Sequence, residues 1–341
     1  FFFLRLYRLG YHDFWYDEIV SVQYACFPWG NWNAPLYWII LHFWVGIFGV
    51  SEFSLRFPSL LFSFFSIILT FFLGKELFSK KVGLLSALML CIAPLHIYYS
   101  QEARMYSLSA FAVTFSFYSF ILFLNKRKFG WFTYIVSTVL VFYSDYVAYF
   151  IFPTQLIYLM IHYKNHLRKY LFVSLTALVF YIPWLFILPQ QFFSGQQTAM
   201  IIPGWREVVG GSSVRELFLL GIKTLTGKVS FDNNIYYSAL IVLLGVPFFI
   251  SLIKIKEVIN KNSLLIIFWL IPVPLIVWFF SFFIPVFSYF RLIFILPAFY
   301  ILIALLLSKF SSKLGILMTV LILLSEIIAS SLYLFISDFQ R

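Results

Sequence analysis

The sequence predicts an all-α, many-pass membrane protein. Three observations carry that expectation. Of the 341 residues, 62% are hydrophobic and only 11% are charged; apolar runs recur along the whole length; and those runs are continuous rather than alternating. A soluble domain of ordinary composition carries about 25% charged residues. A hydrocarbon core of roughly 30 Å needs about 20 apolar residues to cross as a helix. Without water, only helices and closed barrels satisfy their own backbone, and unbroken apolar runs select helices.

Taken in order, residues 1–7 read as the remnant of a first span. Residues 8–53 form a first loop. Spans are expected at 54–78, 82–99, 103–124, 131–144, 146–163, 170–188, 236–253, 263–284, 289–307 and 313–335. That makes ten, or eleven with the truncated first one. Pro183, Pro272, Pro274 and Pro297 punctuate them, which membrane helices tolerate. A long loop at 189–235 carries a predicted short helix at 213–225, and the chain 1–341 reads as one transmembrane domain without internal repeats.

Segment 35–50, PLYWIILHFWVGIFGV, is apolar but short for a span, and charge decides its role. If it does not cross, alternate loops hold 14 Lys and Arg against two acids, Glu76 and Glu257. The positive-inside rule then puts those loops in the cytoplasm and 35–50 on the outer side as an interfacial helix. The net charge of +11 is thereby explained by topology, not by a nucleic-acid surface. Cys26 and Cys91 do not suggest a disulfide. The outer side gathers Asp13, Asp17, Glu18, Glu52, Glu102, Asp145, Glu207, Glu216, Asp232 and Asp338, and by parity the chain ends there. Its cations are mostly arginines, whose planar fork suits phosphate.

Two segments concentrate chemistry. FWYDEIVSVQYA (14–25) sets Asp17 and Glu18 in an aromatic setting, with Trp15, Tyr16, Trp29 and Trp32 equally suited to a plain interfacial belt. The second runs from Pro94 to Tyr106 and brings His96, Tyr99, Glu102, Arg104 and Tyr106 to one turn between two spans. Ionisable groups at membrane depth are costly, so they face a cavity or a partner. Arg56, Asp145 and Arg291 stand singly at span ends, where snorkelling explains them as well as lipid phosphate does. Glu326 lies mid-span and receives no role. No P-loop, dinucleotide fingerprint, HExxH or zinc-type cysteine spacing is present, so no nucleotide cofactor is expected.

The order WYDE, NAPLYW, GVSEFSLRFPSLLFS and APLHIYYSQEARMYSL, with SYFRLIFILPAF later, resembles the GT-C membrane glycosyltransferases. The likeness is to glycosyltransferase family 39, the protein O-mannosyltransferases, and to the lipid A aminoarabinose transferases. It is specific over residues 12 to about 110 and extends over the rest by span pattern. It implies an inverting hexosyltransferase in a plasma or inner membrane, acting on the non-cytoplasmic face with a polyprenyl-phosphate sugar donor. The acceptor is a protein, lipid or glycan hydroxyl. By the resemblance Asp17 is the catalytic base, Glu18 its companion, and Glu102 a third catalytic acid. Arg56 and Arg291 match positions near the donor phosphate, and Glu102 and Arg104 fall in the second outer-loop motif. From the residues themselves, Arg104 is also expected at the phosphate and His96, Tyr99, Tyr106 and Asp145 in the substrate pocket. Asp145 departs from the family pattern, which often has histidine there. Asp17 and Glu102 are also the candidate ligands of a divalent metal. The competing reading is a transporter or flippase of a lipid-linked sugar.

Overall fold

With apolar side chains on nearly every face, these helices are ordered by small and polar residues, as membrane helices are. The computed structural model describes residues 2–27, 33–201, 210–229 and 234–335, and among them every regular element is a helix. Trp29, Trp32, Arg206, Glu207, Asp232 and Asp338 lie outside the described residues.

A short α1 (Phe2–Leu6) leads to α2 (Tyr16–Cys26) and α3 (Leu36–Phe48). At 1.5 Å per residue, the 13 residues of α3 reach only about 20 Å. Two long antiparallel partners follow: α4 (Glu52–Leu77) and the broken pair α5 (Lys80–Ile92) and α6 (Pro94–Ser100). Next come α7 (Tyr106–Leu124), α8 (Gly130–Ser144), α9 (Ile151–His162), α10 (Leu167–Leu185) and α11 (Leu188–Ile201). The chain continues through α12 (Val214–Thr226), α13 (Asn234–Ser251), α14 (Lys261–Leu270), α15 (Pro272–Phe280), α16 (Leu296–Leu307) and α17 (Ser312–Phe335).

Among the described residues, five helices are long and apolar enough to cross a membrane, or up to seven if two bent pairs each count as one. The sequence spans at 131–144, 146–163 and 289–307 fold as apolar helices of 10–17 residues. Those segments are shorter than the spanning length, which is why the ten expected spans do not all appear as single full-length helices. The short helix expected at 213–225 is present as α12.

The centre of the bundle is α7, the most enclosed of the long helices. Its Ser107, Ser109, Thr114, Ser116 and Ser119 are buried, and α4 faces it with Ser59, Ser63, Ser66 and Thr70 at helical spacing. Serine caps start α4 and α5: Ser51 Oγ accepts from the Ser54 N–H, and Ser79 Oγ from the Val82 N–H. Where α4 and α5 cross, Gly74 meets Gly83. A Cβ on Gly83 would stand 2.4 Å from the Phe71 carbonyl oxygen.

The 62° bend between α5 and α6 follows from Pro94. Proline has no N–H for the Leu90 carbonyl, and the extended Ala93 (ψ 122°) turns the chain away from the next ones. Arg5 replaces the missing donors, giving Nη1 to the Cys91 carbonyl (2.7 Å) and Nη2 to that of Leu90 (3.4 Å). Ser330 of α17 donates to the Ile92 carbonyl. The bend thus ends α6 at the loop 101–105, which carries Glu102 and Arg104.

Gly83→Ala is expected to lower the thermal midpoint in detergent, since overpacking against backbone costs about 1–3 kcal/mol. Gly46→Ala, where nothing lies within 4 Å, is the control expected to lose no stability.

Candidate active site

Helix α2 places its adjacent acids about 100° apart, so Asp17 and Glu18 face different neighbours. Glu18 is fully buried and forms a two-pronged pair with Arg56 of α4: Nε to Oε1 at 2.8 Å and Nη2 to Oε2 at 2.7 Å. The remaining Arg56 donors reach the carbonyls of Leu9 (2.8 Å), His12 (3.0 Å) and Asp13 (3.3 Å). All five guanidinium N–H groups therefore have internal acceptors, which leaves none for the donor-phosphate role expected of Arg56. Glu18 Oε1 also accepts from the Ala103 N–H at 3.0 Å. Rather than an open catalytic group, Glu18 is a tie joining α2, α4 and the loop 101–105.

Glu102 and Arg104 flank that anchored amide. The Arg104 guanidinium lies 5.5 Å over the Trp38 ring and 5.9 Å over that of Tyr106, a cation–π sandwich. Its Nη2 is 3.8 Å from Asp17 Oδ2, a loose pair, and its Nε is buried without a hydrogen-bond partner. The backbone is fixed from below: Ser59 Oγ donates to the Arg104 carbonyl at 3.2 Å, and the Tyr37 hydroxyl pairs with Ser59 at 2.8 Å. Asp17 keeps a third of its side chain exposed.

Glu102 is buried, and neither carboxylate oxygen has a hydrogen-bond partner of good geometry. Burial raises its pKa to about 7, partly offset by the nearby Tyr98 hydroxyl, the Lys228 ammonium and Arg104. Asp145, in the turn after α8, behaves similarly. Burial raises it to about 6, while the Val147 N–H on Oδ1 (2.9 Å) and the charge of Arg291 draw it down. Asp145 Oδ2 and Arg291 Nε are both buried and unpartnered. Tyr106 lies within electrostatic reach of Arg104, Arg291, Glu102 and Asp17 together.

Two expected pocket residues are placed elsewhere. His96 is buried with Nδ1 2.9 Å from Arg5 Nη2, so Nδ1 accepts and the ring serves the helix break. Tyr99 is buried between the rings of Tyr98 (4.9 Å) and Tyr106 (5.0 Å). Sequence reasoning missed Trp38, Arg5 and Lys228, which carry no motif and acquire meaning only through contacts distant in the chain. Asp17 and Glu102 offer a metal two carboxylates, each with a cation beside it. No group of three His, Cys, Asp or Glu forms among the described residues. Among the described residues, this donor set by itself does not fit a divalent ion.

The family of dolichyl-phosphate-mannose-protein mannosyltransferases matches residues 33–187. Among solved structures, ArnT from Cupriavidus metallidurans in the apo state is similar with a TM-score of 0.59 and 11% identity, over 88% of this chain and 56% of that one. The same ArnT bound to undecaprenyl phosphate gives 0.64 and 13%, over 91% and 59%. The chain has the fold of these ArnT structures, the GT-C fold. At these identities the structural likeness establishes the GT-C fold, and the chain spans less than two thirds of the ArnT chains it matches. The curated proteins contain no match to it.

Two outcomes follow for this GT-C site. Removing one partner of a buried ion pair costs about 3–5 kcal/mol, so Glu18→Ala should sharply lower the thermal midpoint. The double change Glu18→Met with Arg56→Met should not recover it, because Arg56 also holds three carbonyls. The second outcome concerns pH. Because the folded Glu102 pKa of about 7 lies above its ordinary 4.5, the native state keeps a proton that the unfolded chain has released. The stabilisation tied to that proton is complete below about 4.5 and is lost as pH rises to about 7. Glu102→Gln should therefore melt higher than the parent at pH 8, by roughly 2–4 °C per kcal/mol recovered. The difference should disappear at pH 4.

Proposed function

We propose that the protein is an inverting glycosyltransferase that moves a hexose, mannose-like in class, from a polyprenyl-phosphate donor to a hydroxyl acceptor on the non-cytoplasmic face. The observation that carries this reading is the junction at loop 101–105. There a part-exposed carboxylate, Asp17, meets the partly unpartnered guanidinium of Arg104, with Arg291 and Asp145 in the same electrostatic neighbourhood. The family name refers to dolichyl-phosphate mannose, and the ArnT structure holds undecaprenyl phosphate. Both support a lipid-phosphate donor here.

In the proposed step the acceptor oxygen attacks the anomeric carbon from the face opposite the phosphate. The bond from that carbon to the phosphate oxygen breaks, and its electron pair leaves with the polyprenyl phosphate. Asp17 takes the acceptor proton, a role a single carboxylate fills in one displacement. Arg104 and Arg291 stabilise the charge on the departing phosphate, so no general acid is required. Glu18 acts through position alone, by holding Ala103 and hence the loop. A transport role is less well supported. Its one mid-span acid, Glu326, accepts from the Tyr300 hydroxyl at 2.8 Å within packed helices and does not line a path.

The test is sugar transfer by purified protein from a synthetic polyprenyl-phosphate [³H]mannose donor to extracted membrane acceptors. Asp17→Asn should lower kcat by about 10²–10⁴-fold, the usual value of a general base. Arg104→Ala and Arg291→Ala should each raise the donor KM as well as lower kcat. Undiminished transfer by Asp17→Asn would remove the assigned mechanism.

A further inference from the structure

A cavity of about 610 Å³ opens between the turn at residues 7–15 and the end of α12, and none of the proposed steps uses it. Its size falls within the roughly 300–1,000 Å³ of small-ligand sites. Glu102 lines it together with Lys228, Tyr98, Trp15 and Tyr333. Glu18 and Arg56 line it too, but their polar atoms are engaged with each other and with the backbone.

Deeper in the cavity, past the exposed Tyr11 and Asp13, two groups offer hydrogen-bonding capacity to a ligand. Both Glu102 oxygens are buried acceptors without a partner of good geometry, the Tyr98 hydroxyl being the nearby donor. Lys228 makes no hydrogen bond or ion pair with a described residue. Its ammonium rests 5.0 Å over the Tyr98 ring, close enough to Glu102 to act on its charge. Lys228 is also held there by the backbone. It follows Gly227, which has φ +63° and lies so near the helix break that a Cβ would come within 2.9 Å of Pro94 Cβ. Only glycine fits both constraints. The α12 terminus thus docks on the break, and Lys228 projects from the docked turn.

A ligand that completes this site must bring O–H or N–H donors to a carboxylate, oxygens to an ammonium, and a flat apolar face to aromatic rings. A sugar with neighbouring hydroxyls brings all three on one small unit. An acyl chain brings none of the polar groups. An extended peptide needs a row of free backbone partners, whereas the polar groups free here belong to side chains.

We infer that this cavity is the acceptor subsite and that it takes the hydroxylated end of a carbohydrate, with Glu102 accepting from the sugar and Lys228 donating to it. The word acceptor rests on the glycosyltransferase reading; the carbohydrate class rests on the cavity. The probe is p-benzoylphenylalanine in place of Tyr11, which lines the cavity and is 70% exposed. The full chain carrying it is irradiated in the membranes of its own cells, and the adduct is read by mass spectrometry. The expected adduct carries hexose fragment ions and no polyprenyl mass. Lys228→Ala and Gly227→Ala should each reduce it by about tenfold or more, the weight of one charge-assisted hydrogen bond. Lys228→Arg should largely retain it, with thermal midpoints confirming that the variants fold. An adduct of peptide, phospholipid or polyprenyl phosphate, no adduct, or one indifferent to Lys228→Ala would overturn the inference. The same labelling in Asp17→Asn separates the two readings. A sugar adduct without any transfer by the parent protein sinks the transferase and leaves the cavity assignment standing. Transfer without a sugar adduct does the reverse.

Discussion

The pairing of Glu18 with Arg56 is the constraint on which the rest of the site depends. Two ions removed from water are unfavourable unless every lone pair and N–H finds a partner. Here that condition is met by gathering the carbonyls of residues 9, 12 and 13 and the amide of Ala103 around the pair. One side of the pair therefore fixes the first loop and the other fixes the turn between α6 and α7. At the margins of this knot stand Asp17 and Glu102, each one residue away from an anchored atom.

That arrangement gives the neighbouring acids different environments without any difference in type. Glu18 has its charge balanced within the fold. Glu102, separated by one residue from Arg104, is buried among tyrosines, and burial raises its pKa to about 7. Asp17 retains access to solvent and only a loose ionic contact. Three carboxylates within a small region thus divide into a structural tie, a buried group with a raised pKa and one open to solvent.

The two acidic segments singled out in the sequence are brought together by the fold, and helix class was legible there because composition and run length report on the solvent. Span lengths were less so, since segments such as 131–144 are apolar enough to be counted yet too short to cross alone. Individual roles were the hardest to read. Glu18 and Arg56 are 38 residues apart, and nothing in either segment says that all of the arginine's donors will be used. His96 stands in a reactive-looking run, but its partner is Arg5, 91 residues earlier. Lys228 looked like one more loop cation until the turn at Gly227 set it against Tyr98.

The contact between Arg5 and the broken helix also bears on how the chain is made. A guanidinium placed in hydrocarbon without partners costs about 2.5–3.5 kcal/mol on insertion scales. Its acceptors at Leu90 and Cys91 are synthesised some 85 residues later, several seconds or more at about 5–20 residues per second. Ser63, which accepts from Arg5 Nε, comes 58 residues after it, so the set of partners around Arg5 is completed only when the broken helix is in place. Helix α1 is, in this sense, seated late, and the break at Pro94 supplies the carbonyls that hold it.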